Sequence, residues 1–253
     1  MKAVLYVAHG SRVKAGVDEA REFIETVKPQ IDVEIQEICF LELAEPSIVD
    51  GVSACVTKGA TEIAIIPILL LTANHANEDI PHEVEKAKKL YPNVTFTFGK
   101  PFGIQDKLID SLQERVRQKT KLQNEEIDVL LIGRGSSDEN VQYDFQQIAD
   151  NLKRKYNYAK VDICFLYGKG PSFDIALEQL QKNRENPVYV VPYILFTGLL
   201  KIGIQKKMEK LGFAEDEVVL CECLGYDENV RQVLIERVKE TLYSYGESVS
   251  NGG

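Results

Sequence analysis

Short apolar runs alternate with stretches of helical spacing along the whole chain. Residues 4–8 and 63–70 are apolar throughout, and 31–41 and 94–98 read as further strand-like runs. Runs this short and this rich in branched residues mark strands buried on both faces. Between them, Val17, Ala20, Phe23, Ile24 and Val27 recur at helical spacing within 13–28. Pro46 is suited to the first turn of a second helix running to about Lys58, because proline there removes an N–H that the helix does not use. Asp79-Ile80-Pro81 opens a third helix through Leu90, and 105–117 forms a fourth. Strict alternation of strand and helix predicts a parallel sheet covered on both faces.

Residues 119–126 are charged and lack an apolar period, as a linker does, and then the pattern begins again. Val129-Leu130 repeats Val4-Leu5, Gly135-Ser136 repeats Gly10-Ser11, and 163–166 repeat 38–41. Pro171-Ser172 repeats Pro46-Ser47, and Pro192 and Thr197 repeat Pro67 and Thr72. Every pair is 125 positions apart (9 to 134, 39 to 164, 67 to 192), a register that chance matches do not hold. The chain is therefore expected to be an internal duplication. The first α/β domain spans 1–120 and the second 127–245, with 246–253 as a flexible tail. Each domain is expected to be doubly wound around a mainly parallel four-stranded sheet. The two would pack about a pseudo-twofold axis, with their strand ends facing across a cleft.

Composition narrows the partners. The 253 residues suffice for two modest cores, and the five cysteines form no Cys-x-x-Cys pair. Apolar surroundings make these cysteines reduced core residues of a cytoplasmic protein. Cys221 and Cys223 fall on one face of a strand-like run, where a metal contact is the alternative to packing. No secretory leader and no apolar stretch near ~18 residues is present, so no membrane partner is expected. A formal charge of −9 argues against nucleic acid. An anionic substrate would need a local basic patch.

The candidate chemistry lies just past the strands. His9 follows the first apolar run, and His75 follows the run 65–71. In open α/β sheets ligands bind beyond the carboxyl ends of the strands, so both imidazoles can face one site. The duplication acts as an internal control, because residues that serve only the fold should survive in both copies. The strand cores and turns do survive. His9, however, becomes Arg134, Glu42 becomes Tyr167 and His75 becomes Leu200. Two imidazoles and a carboxylate confined to one half suit a divalent first-row metal, and the same groups can accept protons. A backbone-bonded loop histidine and a solvated or helix-capping glutamate are the bland alternatives. His82 lies on a polar helix face and reads as surface. Arg134 can grip a carboxylate through two parallel bonds but cannot act as a base. Residues 196–201, ending at Lys201, and Lys206 and Lys207 beyond mix apolar surface with positive charge, as a large flat ligand with acidic edges would require. Gly10-Ser11 and Gly135-Ser136 bring backbone amides to helix starts, a general anion signal.

With His9-Gly10-Ser11-Arg12, Phe40-Leu41-Glu42, the run 67–75 and Glu78-Asp79-Ile80-Pro81 in view, the chain resembles the class II tetrapyrrole chelatases, and among them the two-domain sirohydrochlorin ferrochelatases. The resemblance covers essentially everything before the tail. It implies a lyase that inserts Fe²⁺ into sirohydrochlorin to form sirohaem, with Co²⁺ or Ni²⁺ as other candidate metals and no permanently bound cofactor. It implies that His9, His75 and Glu42 bind the metal and take up pyrrole protons. By the same resemblance Leu70, Leu71, Thr72, Ala73 and Asn74 lie against the macrocycle. Ser11, Arg12, Arg134 and Lys201 are the candidates for its carboxylate edge. A near relative is the sirohydrochlorin cobaltochelatase, some longer forms of which carry a histidine-rich stretch and a cysteine cluster that are lacking here. A non-catalytic metal or tetrapyrrole carrier would use the same residues. A phosphohistidine enzyme of the phosphatase type would want arginine before the histidine, where this chain has Ala8. A cytoplasmic monomer is expected.

Overall fold

The computed structural model describes residues 1–71, 78–214 and 216–243. In chain order these form β1 (Lys2–Ala8), α1 (Lys14–Val27), β2 (Ile35–Phe40), α2 (Ile48–Thr57), β3 (Glu62–Ile68), α3 (Ile80–Leu90), β4 (Thr95–Phe98) and α4 (Asp106–Arg117). The second series is β5 (Asp128–Gly133), α5 (Glu139–Tyr156), β6 (Lys160–Phe165), α6 (Phe173–Lys182), β7 (Val188–Pro192), α7 (Leu199–Leu211), β8 (Val218–Leu220) and α8 (Glu228–Tyr243). The strands make two four-stranded sheets, ordered β2-β1-β3-β4 and β6-β5-β7-β8, with every pairing parallel. This is the duplicated α/β architecture expected from the pattern. Among the described residues, no helix is long and apolar enough to cross a membrane.

Both sheets carry a proline in an inner strand, and the register explains why that is tolerated. Pro67 pairs with Val7 of β1, but β4 ends opposite Ile65. Beyond that point β3 has no strand on its other side, where a residue lacking an N–H does little harm. Pro192 of β7 repeats the arrangement, since β8 ends opposite Val190.

Ala3, Leu5, Val7, Ile63 and Ile65 pack against Ile48, Val52 and Cys55 of α2 and Ile80, Val84 and Ala87 of α3. In the other sheet Leu130, Ile132, Val188 and Val190 pack against Phe173 and Leu177 of α6 and Ile204 and Met208 of α7. All five cysteines are buried and reduced. Burial pushes the Cys39 thiol up, and those of Cys55, Cys164 and Cys221 up to about 12, as befits inert packing residues. Cys221 and Cys223 follow β8 rather than lying in it.

Several boundaries differ from the pattern-based expectation, and β3 for one ends at Ile68 rather than Leu70. β2 begins at Ile35, not Ile31, because a tight helical turn at Lys28–Gln30 comes first. There the Gln36 amide donates to the carbonyls of Lys28, Ile31 and Val33. α2 begins at Ile48 rather than at Pro46. Ser47 is its cap, with the Asp50 amide donating to Ser47 Oγ and the Ser47 amide donating to the Asp50 carboxylate. The compact units also differ from the sequence halves, being Met1–Gly103 with Arg231–Gly253, and Ile104–Val230. In the first, Arg237 of α8 donates to the carbonyls of Pro101 (3.0 Å) and Phe102 (2.7 Å). In the second, Arg115 of α4 pairs with Asp227 and donates to the Leu224 carbonyl, both at 2.8 Å. A repeat read from sequence follows chain order, whereas an amphipathic helix joins whichever sheet face its apolar stripe covers.

Candidate active site

In the first sheet the connections leave β1 toward β2 on one side and β3 toward β4 on the other, so the topological switch point lies between β1 and β3. Ligands bind at such a crevice, beyond the strand carboxyl ends. His9 is the first residue after β1, Glu42 follows β2 by two residues, and Leu69, Leu70 and Leu71 continue β3.

The backbone brings His9 and Glu42 together. Past the end of the ladder, the Leu41 amide still donates to Ala8 O (2.9 Å) and the Glu42 amide to His9 O (3.1 Å). Gly10 makes room for this tie. Its φ is +96°, and a Cβ there would sit 1.8 Å from the Glu42 carbonyl oxygen. The second sheet repeats the device around different side chains. The Tyr167 amide donates to Arg134 O (2.9 Å), Gly135 has φ +89°, and its Cβ would meet Tyr167 O at 1.8 Å. Gly10 and Gly135 therefore serve the backbone in both halves.

Held this way, His9 Nε2 lies 3.2 Å from Glu42 Oε1, with side chains 32% and 46% exposed. Metal–ligand bonds of about 2.0–2.2 Å, opened by roughly 90–110°, place two donor atoms about 2.8–3.6 Å apart. The pair thus has a spacing that two ligands on one small cation would also have, and both side chains are partly open to solvent. Among the described residues, no three His, Cys, Asp or Glu side chains gather as a metal-holding group. His75, Thr72, Ala73 and Asn74 lie outside the described residues. Leu70 and Leu71 are half-buried, and the Leu70 carbonyl accepts from the Gly103 amide at 2.8 Å.

The remaining candidates separate by what they already touch. Ser11 Oγ accepts from the Val13 amide at 3.0 Å, and Ser136 Oγ accepts from the Asp138 amide at 3.1 Å, so both hydroxyls close the turn before their helix. Arg12 and Arg134 are exposed. Lys201 makes an ion pair with Glu222, which Lys119 also approaches at 3.5 Å. The hydrogen bond from Lys201, aided by Lys119, holds the Glu222 carboxyl below its ordinary value. Lys207 pairs with Asp174 at 2.7 Å. His82 is exposed on α3. Pattern reading missed Leu43, whose φ of +63° is unusual for a branched side chain, although the glycine at the matching position 168 was a visible signal.

The sequence pattern of the CbiX family matches residues 3–119 and again 128–241, once on each half. The sirohydrochlorin ferrochelatase of Priestia megaterium is 44% identical over 246 residues, covering 97% of this chain and 92% of that protein. The sirohydrochlorin cobaltochelatase of the same organism is 36% identical over 248 residues, covering 96% and 80%. The solved structure of SirB from Bacillus subtilis with Fe³⁺ matches with a TM-score of 0.87 at 40% identity, covering 97% of this chain and 98% of that one. A family pattern that recurs in register with the internal duplication leaves no other placement: the chain belongs to the CbiX family.

Proposed function

We propose that the protein is a sirohydrochlorin ferrochelatase, inserting Fe²⁺ into sirohydrochlorin with release of two protons. The observation that carries this is the His9–Glu42 pair, 3.2 Å apart beyond β1 and β2 at the switch point. Metallation must remove two pyrrole protons while a partly dehydrated ion approaches one ring face, so acceptors and ligands are needed together. An imidazole and a carboxylate supply both, and His75 is the second imidazole in this reading. The ferrochelatase relative favours iron. The cobaltochelatase relative, similar over nearly the same length, supports Co²⁺ as the second reading.

The metal is substrate and no permanent cofactor is used. The first copy carries the metal chemistry. The second copy holds the macrocycle through Arg134, whose planar fork suits carboxylates. Lys201, which pairs with Glu222, is a further candidate anchor. The enzyme acts as a cytoplasmic monomer.

The test is an anaerobic absorbance assay with sirohydrochlorin and Fe²⁺, Co²⁺ or Ni²⁺, run on wild type, His9→Ala, His75→Ala and the double variant. Each single change should lower turnover about 100-fold, and the double change should add little, because residues acting as a unit are not additive. Absence of insertion above protein-free controls would refute the enzyme. Stoichiometric binding without product release would make the protein a carrier. Multiplicative losses would show that the two histidines act separately.

A further inference from the structure

The residue after Glu42 is Leu43, and its backbone lies in the left-handed region at φ +63°. An L-residue with a branched side chain avoids this region because its Cβ crowds the backbone, while glycine enters it freely. The second copy takes the glycine solution. Gly168 stands at the matching position with φ +79°, and a Cβ there would lie 2.4 Å from Ser136 O. Both copies thus put this position in the left-handed region, once with the residue that suits it and once with a residue that does not.

Packing does not account for Leu43. Its neighbour Leu41 and the strand-end Leu69 pack against the core of the first sheet. Leu43, in contrast, leaves 48% of its surface exposed. An unfavourable backbone and a half-exposed alkyl side chain make poor sense in a residue kept for the fold. They make better sense where strain accompanies function. The placement agrees, since the adjoining carboxylate is the one lying 3.2 Å from His9 Nε2.

We propose that Leu43 is a substrate-positioning residue, an apolar seat for the tetrapyrrole macrocycle beside the metal-handling pair. This rests on the chelatase reading. A branched alkyl group gains dispersion and buries apolar area against a flat ring without offering a charge that would compete for the metal. The second copy has Tyr167 and Gly168 at these positions and lacks both the carboxylate and the seat.

The experiment compares wild type, Leu43→Gly, Leu43→Ala and Leu43→Met by sirohydrochlorin binding titration without metal, by metal insertion and by thermal melting. Leu43→Gly should raise the sirohydrochlorin Kd at least fivefold while its thermal midpoint equals or exceeds that of wild type. Leu43→Ala, which keeps the strain but loses the side chain, should bind as weakly as the glycine variant and melt no higher than wild type. Leu43→Met should bind within about twofold of wild type. A glycine variant with wild-type Kd would overturn the positioning role, and so would one that melts clearly lower, because the side chain would then be structural. Wild type that binds the macrocycle but never metallates it would overturn the chelatase reading and leave the seat standing. Wild type that does not bind sirohydrochlorin would overturn both.

Discussion

Gly10→Ala should damage stability and chemistry together, and Gly135→Ala should damage stability alone. At Gly10, φ is +96°, and an added Cβ would lie 1.8 Å from the Glu42 carbonyl oxygen, where real Cβ atoms keep at least 3.0 Å. The strained backbone costs about 1–2 kcal/mol. Relieving the clash moves the Glu42 backbone by more than 1 Å and disrupts its 3.1 Å hydrogen bond to His9 O. That loss adds about 0.5–1.5 kcal/mol. The sum is about 1.5–3.5 kcal/mol, or a fall in the thermal midpoint of roughly 3–14 °C. Gly135, at φ +89° and 1.8 Å from Tyr167 O, meets the same obstacle and should lose a similar amount. Their effects on catalysis should part. A shift of about 1 Å in a catalytic group can cost about 100-fold in rate. Gly10→Ala should therefore lose about that factor in kcat per folded molecule, while Gly135→Ala at saturating sirohydrochlorin stays within several-fold of wild type. Denaturant titration and anaerobic initial rates, normalised to folded protein, measure both. Gly10→Ala within 0.5 kcal/mol of wild type would refute the steric argument. Equal kcat losses in the two variants would refute the confinement of metal chemistry to the first copy.

Arg134→Ala should raise KM for sirohydrochlorin about tenfold or more while changing kcat less than threefold, with Arg134→Lys restoring only part of the affinity, and an equal fall in kcat at saturation would count against a holding role. Glu222 provides a pH test. Lys201 holds its carboxyl below the ordinary value of 4.5, so the stability it adds is present above that value and is lost as pH falls toward the folded value. The difference in denaturation free energy between wild type and Glu222→Gln should be small, within about 1 kcal/mol for so exposed a pair. It should shrink below about pH 4.5, and a difference that grows on acidification would reverse the assignment.

The strand and helix order was legible because doubly covered parallel strands must be apolar on both faces, and β1, β3, β5 and β7 meet that demand. The ends of elements were less legible, because caps and side-chain bonds decide them. Ile31 is 5% exposed and fits a strand run, yet Gln36 binds the backbone before it into a turn. The placing of α4 and α8 in opposite units was invisible for a different reason, since an apolar stripe does not say which sheet it covers. At the site, the pattern put His9 and Glu42 just past their strands, but their approach depends on β2 lying beside β1 and on the Glu42 amide reaching His9 O. The engagement of Lys201 by Glu222 was not legible, because it joins residues 21 positions apart whose chain pattern carries no sign of it.

The duplication separates what the fold requires from what the chemistry requires, one position at a time. At 10 and 135 both copies have glycine, because the backbone tie between neighbouring strand ends leaves no space for a Cβ in either. At 9 and 134, and at 42 and 167, the same tie holds different side chains, so the fold is indifferent there and the His–Glu pair in the first copy needs another explanation. At 43 and 168 the fold is not indifferent. It favours glycine, and only the second copy complies. Indifference at one pair of positions and resistance at another converge on a single strand-end loop. On the proposed function, one requirement beyond folding would act on Glu42 and Leu43 together: a carboxylate for the metal beside an apolar surface for the ring.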